Sequence, residues 1–356
     1  MARKRKTLPK DFQRMLTSAS LTELVAVYDT CELDAYGGYR RSTALGFRDC
    51  PDELIVWLVE QGLDVDSRDS AGRTALADRA QSAMPGHVRQ IGLLLSLGAD
   101  IEATGTDGRT PFQNAVLLLR ARAAELLAEY GAAVSGDGWD PTTLLELALG
   151  RVENATVTEA VPIARLLVAR GASVTDGMRD RVERIGASFE HYRDVFAADK
   201  VDETDAALRE LYAMFDVEPV ARRVMHDGSS PIVVPAGSWR EQHAALWELL
   251  VPGTGAAATR QGEVIRITGK VADEMFRNGG ANWGPDYRAM IDAVVTTIGT
   301  QAPLSPDALA EARDLGERTR TGRGADADLA RLTELAVDWV TRNPEPLPLG
   351  DVPYAR

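Results

Sequence analysis

Asp69-Ser70-Ala71-Gly72-Arg73-Thr74-Ala75-Leu76 opens a stretch that closes at Gly98-Ala99-Asp100-Ile101, and both phrases return along the first half of the chain. The closing phrase has an earlier relative at Gly62-Leu63-Asp64-Val65. Later ones stand at Gly131-Ala132-Ala133-Val134 and Gly171-Ala172-Ser173-Val174, so the glycines fall 36, 33 and 40 residues apart. The opening phrase returns as Asp107-Gly108-Arg109-Thr110-Pro111-Phe112 and, more faintly, as Trp139-Asp140-Pro141-Thr142-Thr143-Leu144. Thr43-Ala44-Leu45 repeats it without the Asp-x-x-Gly lead. A period near 33 residues marks a solenoid that stacks one supersecondary unit. Each such unit buries its apolar face against the next, and together they present an extended surface to another macromolecule.

Between Thr and Gly-Ala the spacing predicts two short helices, roughly Pro111–Arg120 and Ala121–Tyr130 in the third unit. Ala124, Leu126, Leu127 and Tyr130 give the second of these an apolar face. Thr at the first helix start can cap free N–H groups. Pro111 stands just inside a helix, where its missing N–H costs little. The repeated glycines suit the left-handed residue that closes a last turn, and the Asp-Gly pairs suit a reversing connection. Leu58, Leu94, Leu127 and Leu167 are the expected buried positions of the second helices.

These phrases resemble the ankyrin repeat, whose usual form is Asp-x-x-Gly-x-Thr-Pro-Leu-His-x-Ala, ending in Leu-Leu-x-x-Gly-Ala-Asp. The resemblance implies units at about 39–65, 69–101, 107–134 and 139–174, behind a capping half-unit around Ser20–Asp34 (Leu21, Leu24, Val25, Tyr28). Where the family has histidine this chain has Gly46, Ala77, Gln113 and Glu146, so looser capping is expected. A second resemblance, over about 221–297, is to a C-terminal segment that accompanies ankyrin repeats in bacterial proteins. It implies a shared domain and supplies no activity. The expected fold class is mainly α: an ankyrin-repeat solenoid over 20–176, followed by an α-helical domain over 177–342 with a small β-hairpin. The expected flanks are a basic disordered tail (1–19) and an extended Pro-rich tail (343–356).

The 356 residues suggest two domains. No apolar run approaches the roughly 20 residues that span a bilayer. Met1-Ala2-Arg3-Lys4-Arg5-Lys6 is basic, but no hydrophobic segment follows it, so it does not read as a secretory signal. A net charge of −13 argues against a general nucleic-acid binder. Two cysteines, Cys31 and Cys50, with no Cys-x-x-Cys, suggest free thiols in a reducing cytoplasm.

Beyond Gly177 the pattern predicts helices at Met178–Phe196, Asp202–Phe215, the Ser238-capped segment through Leu250, Thr259–Asn278, Pro285–Ile298, Asp307–Arg318 and Asp326–Arg342, with a linker over Arg320–Asp326. Two β-branched runs around His226-Asp227-Gly228-Ser229-Ser230 predict the hairpin, near 217–234.

Motifs with chemistry are scarce. Gly262 to Gly269-Lys270 is not a phosphate loop, because six residues separate the glycines and Val271 stands where a hydroxyl should bind magnesium. His87, His191, His226 and His243 make no metal-ligand spacing. No catalytic residue, cofactor or metal is expected. Glu263, Arg266, Lys270, Asp273, Glu274 and Arg277 fall at helical offsets and read as a solvated face laced with ion pairs. A polar groove closed by Asn278 and Asn282 is the alternative.

The expected function is that of a cytoplasmic interaction protein whose partner is another protein. It would dock on the finger tips (Arg40, Arg41, Arg68, Arg73, Asp107, Arg109, Trp139, Asp140) and the adjoining concave helices. By analogy with bacterial repeat proteins, one form is an immunity or antitoxin protein that covers a toxin. The alternative is an enzyme or small-ligand sensor over 217–298, with a site near Arg266, Lys270, Asp273, Arg277, Asn282 and Trp283 and the repeats as a targeting arm.

Overall fold

The computed structural model describes residues 3–135, 139–321 and 324–354, and the chain is mainly helical. It divides into two compact units: Met1–Gly186 with Asp202–Pro219, and Ala187–Val201 with Val220–Arg356.

The first unit opens on β1 (Arg5–Thr7), α1 (Phe12–Ser18), α2 (Leu21–Thr30) and β2 (Cys31–Tyr36). The basic segment is therefore not a disordered tail from residue 3 onward, although Met1 and Ala2 lie outside the described residues. β1 pairs in parallel with β2, and Lys4 donates to the Tyr28 carbonyl at 2.6 Å. The reason is an apolar row that the basic run obscures. Leu8, Phe12 and Leu16 are buried, and Phe12 meets Phe47 edge-on at 5.6 Å. The helix expected to run through Asp34 stops at Thr30 and yields to β2.

Four helix layers follow. A single 3₁₀ turn (Ala44–Gly46) precedes α3 (Asp52–Glu60). Next come the pairs α4 (Ala75–Ala80) with α5 (Pro85–Ser96), α6 (Pro111–Leu117) with α7 (Ala121–Glu129), and α8 (Pro141–Leu149) with α9 (Val157–Ala169). First helices pack on first helices (α4 on α6, α6 on α8) and second on second (α5 on α7, α7 on α9). Leu58, Leu94, Leu127 and Leu167 are all 0% exposed.

Each second helix ends identically. Gly62, Gly98, Gly131 and Gly171 have φ of +97°, +94°, +91° and +94°. The amide after each glycine donates back to the carbonyl of the buried leucine, as Ala99 does to Leu94 at 3.0 Å. That is the Schellman closure. No other atom lies within 4 Å of where a Cβ would sit on these glycines, so the backbone angle alone selects them.

Helix starts are capped by Thr74, Thr110 and Asp140, whose side chains accept from the amides of Ala77, Gln113 and Thr143. The looser capping expected at Gln113 is not what forms, because its side-chain oxygen accepts a hydrogen bond from the Thr110 amide at 3.0 Å. Thr43 makes no such cap, and its helix shrinks to the 3₁₀ turn. α10 (Asp176–Tyr192), through which the boundary between units passes, and α11 (Val201–Phe215) come next.

The second unit packs α12 (Trp239–Leu250), α14 (Pro285–Thr297) and α16 (Asp326–Arg342) around α13 (Arg260–Phe276), with α15 (Pro306–Arg320) against α14 and α16. Residues 261–268 of α13 are all buried, so it is the unit's central helix and not a solvated face. The charges of that supposed face part company: Glu263, Arg266 and Glu274 are buried, while Asp273 and Arg277 are exposed.

No hairpin forms near 217–234, since its backbone groups bond elsewhere. The His226 amide donates to the Leu249 carbonyl at 2.9 Å and the Ile232 amide to Pro344 at 2.7 Å, while Pro219, Pro231 and Pro235 have no N–H to give. Of the linker, Gly322 and Arg323 lie outside the described residues, as do Ala355 and Arg356 of the tail. The Pro-rich segment is extended but firmly held. Gln261 donates to the Asn343 and Glu345 carbonyls and accepts from the Leu347 amide, and the Tyr354 hydroxyl donates to Glu263 at 2.9 Å.

Candidate functional site

The turns between helix pairs are tied to one another by hydrogen bonds that repeat. The amide two residues after Gly98 and after Gly131 donates to a side chain of the preceding turn, Asp100 to Asp66 at 3.0 Å and Ala133 to Glu102 at 2.7 Å, while the Ser173 amide donates at 2.9 Å to Thr142 within its own unit. Further along the turns, the Ser70 amide donates to the Arg40 carbonyl at 2.7 Å and the Thr106 hydroxyl to Ala71 at 2.9 Å.

The expected tip arginines are engaged inside this lattice. Arg40 pairs with the buried Asp78 at 2.8 Å, Arg73 with Asp69 at 3.6 Å and Arg109 with Asp107 at 3.8 Å. Arg68 donates to Gly72 and Thr104 carbonyls, bridging two units. Arg41 lies over the Tyr36 ring at 4.3 Å, and Arg109 over half-buried Trp139 at 5.8 Å. Asp140 is spent as the α8 cap. Tyr39, beside Arg40, is fully exposed.

A different arrangement lies in the second unit. Ser238 and Glu241 form a capping box that starts α12 and sets His243 and Trp247 four residues apart on one helix face. Opposite stands Gly269, in the middle of α13. A Cβ there would sit 2.3 Å from the Trp247 ring, so only glycine lets the indole lie against the helix. Arg223 fixes the far end of α12, donating to the carbonyls of Trp247 (2.9 Å), Glu248 (2.7 Å) and Val251 (2.6 Å), where a cation also meets the negative end of the helix dipole. The same guanidinium donates to the His191 carbonyl at 3.1 Å. The His191 ring lies nearly parallel to Trp247, at 15° and 6.1 Å. The result is a cleft of about 530 Å³, with Tyr192, Pro252, Gly253, Lys270, Asp273, Phe276 and Arg277 completing its walls.

Both imidazoles are held neutral near pH 7. Burial lowers the pKa of His243, and burial with the neighbouring Arg223 lowers that of His191. His243 Nε2 faces the Ile265 carbonyl at 3.3 Å and Thr268 Oγ1 at 3.1 Å. A carbonyl only accepts, so Nε2 carries the ring proton. Arg277 forms an ion pair with Asp273 on the rim.

The structure thus brings Lys270, Asp273 and Arg277 together but separates the other expected site residues from them. Arg266 is buried in an ion pair with Glu263, 2.7 Å between Nε and Oε2. Burial would raise the Glu263 carboxyl, but hydrogen bonds from Arg266, Ala257 and Tyr354 hold it below the usual range. Asn282 donates to Glu274 from its amide at 2.6 Å, and Trp283 stacks on Tyr287 at 5.5 Å, so both close the loop after α13.

No protein-family model matches the chain, and no curated protein matches it. Among the described residues, no group of three or more His, Cys, Asp or Glu could hold a metal ion, and no helix is long and apolar enough to cross a membrane. The sequence reading missed Trp247, Phe276 and Tyr192 as cleft walls. The one available signal was Gly269, since a lone glycine inside a helical pattern implies a close packing partner.

Proposed function

We propose that residues 20–176 are ankyrin repeats and that they bind a partner protein through their turns. The observation that carries this reading is the lattice joining successive turns: Asp66 to Asp100, Glu102 to Ala133, Arg68 to Thr104 and Ala71 to Thr106. Groups already fixed lose little freedom on association, and preorganisation of that kind raises affinity. The arginines act mainly as struts, so the energetic anchors are the aromatic groups: Tyr39, exposed at the first turn, and Trp139, held beneath Arg109.

The test is binding of a captured partner, measured by calorimetry. Tyr39→Ala and Trp139→Ala should each weaken it by about 2 kcal/mol, the usual threshold for a dominant interface residue. Binding should also weaken moderately with salt. Wild-type affinity in both variants, with loss in Arg277→Ala, would transfer recognition to the second unit.

A further inference from the structure

We propose that the cleft between α12 and α13 binds a small uncharged fused aromatic ligand, its ring against Trp247 and Phe276 and its one N–H or O–H donor on Nδ1 of His243. The inference stands apart from any protein partner of the repeats.

Three observations lead to it. The first is apolar surface around a built wall. Among the described residues of the second unit only two aromatic side chains are exposed, Tyr192 at 42% and Phe276 at 47%, and both line this one cleft. Aromatic groups left in water around one concavity mark a ligand surface. Behind them, Gly269 admits the Trp247 ring against α13, and that ring lies 6.2 Å from His243 and 6.1 Å from His191. Arg223 ties down the end of α12, so these rings are in place before any ligand arrives. A planar apolar body matches such a wall by offset stacking. The volume of about 530 Å³ accommodates a fused bicyclic ring.

The second is charge. Arg277 pairs with Asp273 on the rim, and Lys270 is engaged within the protein. Both imidazoles are neutral, chiefly because burial disfavours their charged forms. The ionic groups of the cleft are therefore already committed. A charged ligand would give up its hydration to a wall whose counter-ions are taken, whereas an uncharged one gives up little.

The third is one open acceptor. Nε2 of His243 carries the ring proton and directs it to the Ile265 carbonyl and Thr268, which leaves Nδ1 able only to accept. Among the described residues no donor reaches Nδ1, and the protein does not seal it from solvent. A ligand with one donor fills that position. A carboxylate, which only accepts, finds no proton there.

The full chain is titrated calorimetrically at pH 7.5 with indole, with 1-methylindole, which lacks the donor, and with indole-5-carboxylate, which keeps the donor and adds a charge. Indole should bind one to one and about ten-fold tighter than either congener. His243→Gln should erase the preference for indole over 1-methylindole, since the Gln amide can still donate to the Ile265 carbonyl but places no acceptor where Nδ1 stood. Phe276→Ala should weaken indole and 1-methylindole alike, by about ten-fold. Phe276 is exposed, so its truncation leaves the fold intact, and unchanged thermal melting will show that the His243 variant folds. The proposal is overturned if indole does not bind at roughly millimolar concentration, if either congener binds as tightly as indole, if the folded His243→Gln variant keeps the preference, or if binding ignores the change at position 276.

Discussion

At the scale of single residues, the buried polar groups carry the greatest leverage. Arg79 is 0% exposed. It donates to Gln90 at 2.6 Å and to the Leu45 and Phe47 carbonyls at 3.1 and 2.7 Å, which belong to the unit whose first helix shrank to one 3₁₀ turn. The guanidinium therefore replaces hydrogen bonds that a longer helix would have made. Arg79→Ala should cost roughly 3–5 kcal/mol in urea unfolding, the range for breaking a buried charged network. A cost below 1 kcal/mol would mean that water satisfies those carbonyls.

His87, His191 and His243 all have pKa values lowered, chiefly by burial. The unfolded chain then binds protons that the folded one refuses. This stability is present above the ordinary imidazole range and is lost as pH falls from about 6.5. Asp66 is shifted upward, mainly by burial, and opposes the trend in a lower range. The urea midpoint should be lower at pH 5.5 than at 7.5, and less so in a His87→Gln, His243→Gln double variant. An equal or higher midpoint at pH 5.5 would contradict the neutral imidazoles.

Among elements, the second helices of the repeats and the C-terminal strap make opposite lessons. Leu94 and Leu127 are completely buried and should each cost roughly 2–5 kcal/mol on change to Ala. Because α5 packs on α7 and α7 on α9, the two losses should couple and fail to add. These leucines were legible in the sequence because periodicity and the closing glycine specify the same helix end.

The strap was not legible. Asn343–Tyr354 reads as a proline-rich tail, yet it fills the hydrogen-bonding capacity of Gln261 and Glu263, residues over 80 positions away. Local pattern carries no trace of such a partner, and the same blindness turned α13 from a buried core helix into an apparent solvated face. The phantom hairpin has the same origin, since the backbone of His226 bonds to α12 and that of Ile232 to the strap. Burial and the Glu263 carboxylate raise the Tyr354 phenol pKa, so it remains a donor at neutral pH. Tyr354→Phe should cost about 1–3 kcal/mol, the penalty for leaving a buried acceptor short of one donor. No change in melting would mean that Arg266 and the Ala257 amide satisfy Glu263 without it.

For the molecule as a whole, the net negative charge and the engaged arginines bear on the proposed docking. With a net charge of −13, the chain repels acidic partners at long range. The arginines that might have countered this are drawn into contacts with Asp78, Asp69 and Asp107. The proposed docking on the turns would then lean on aromatic burial within a rigid frame, with charge serving orientation.

The most direct measurement places a photo-crosslinking benzoylphenylalanine in the full chain at position 39, at 139 or at 277, followed by irradiation in cells of the source organism. Docking on the turns predicts one discrete protein adduct shared by positions 39 and 139 and absent at 277. The same adduct at 277 alone, with none at the turns, would contradict it.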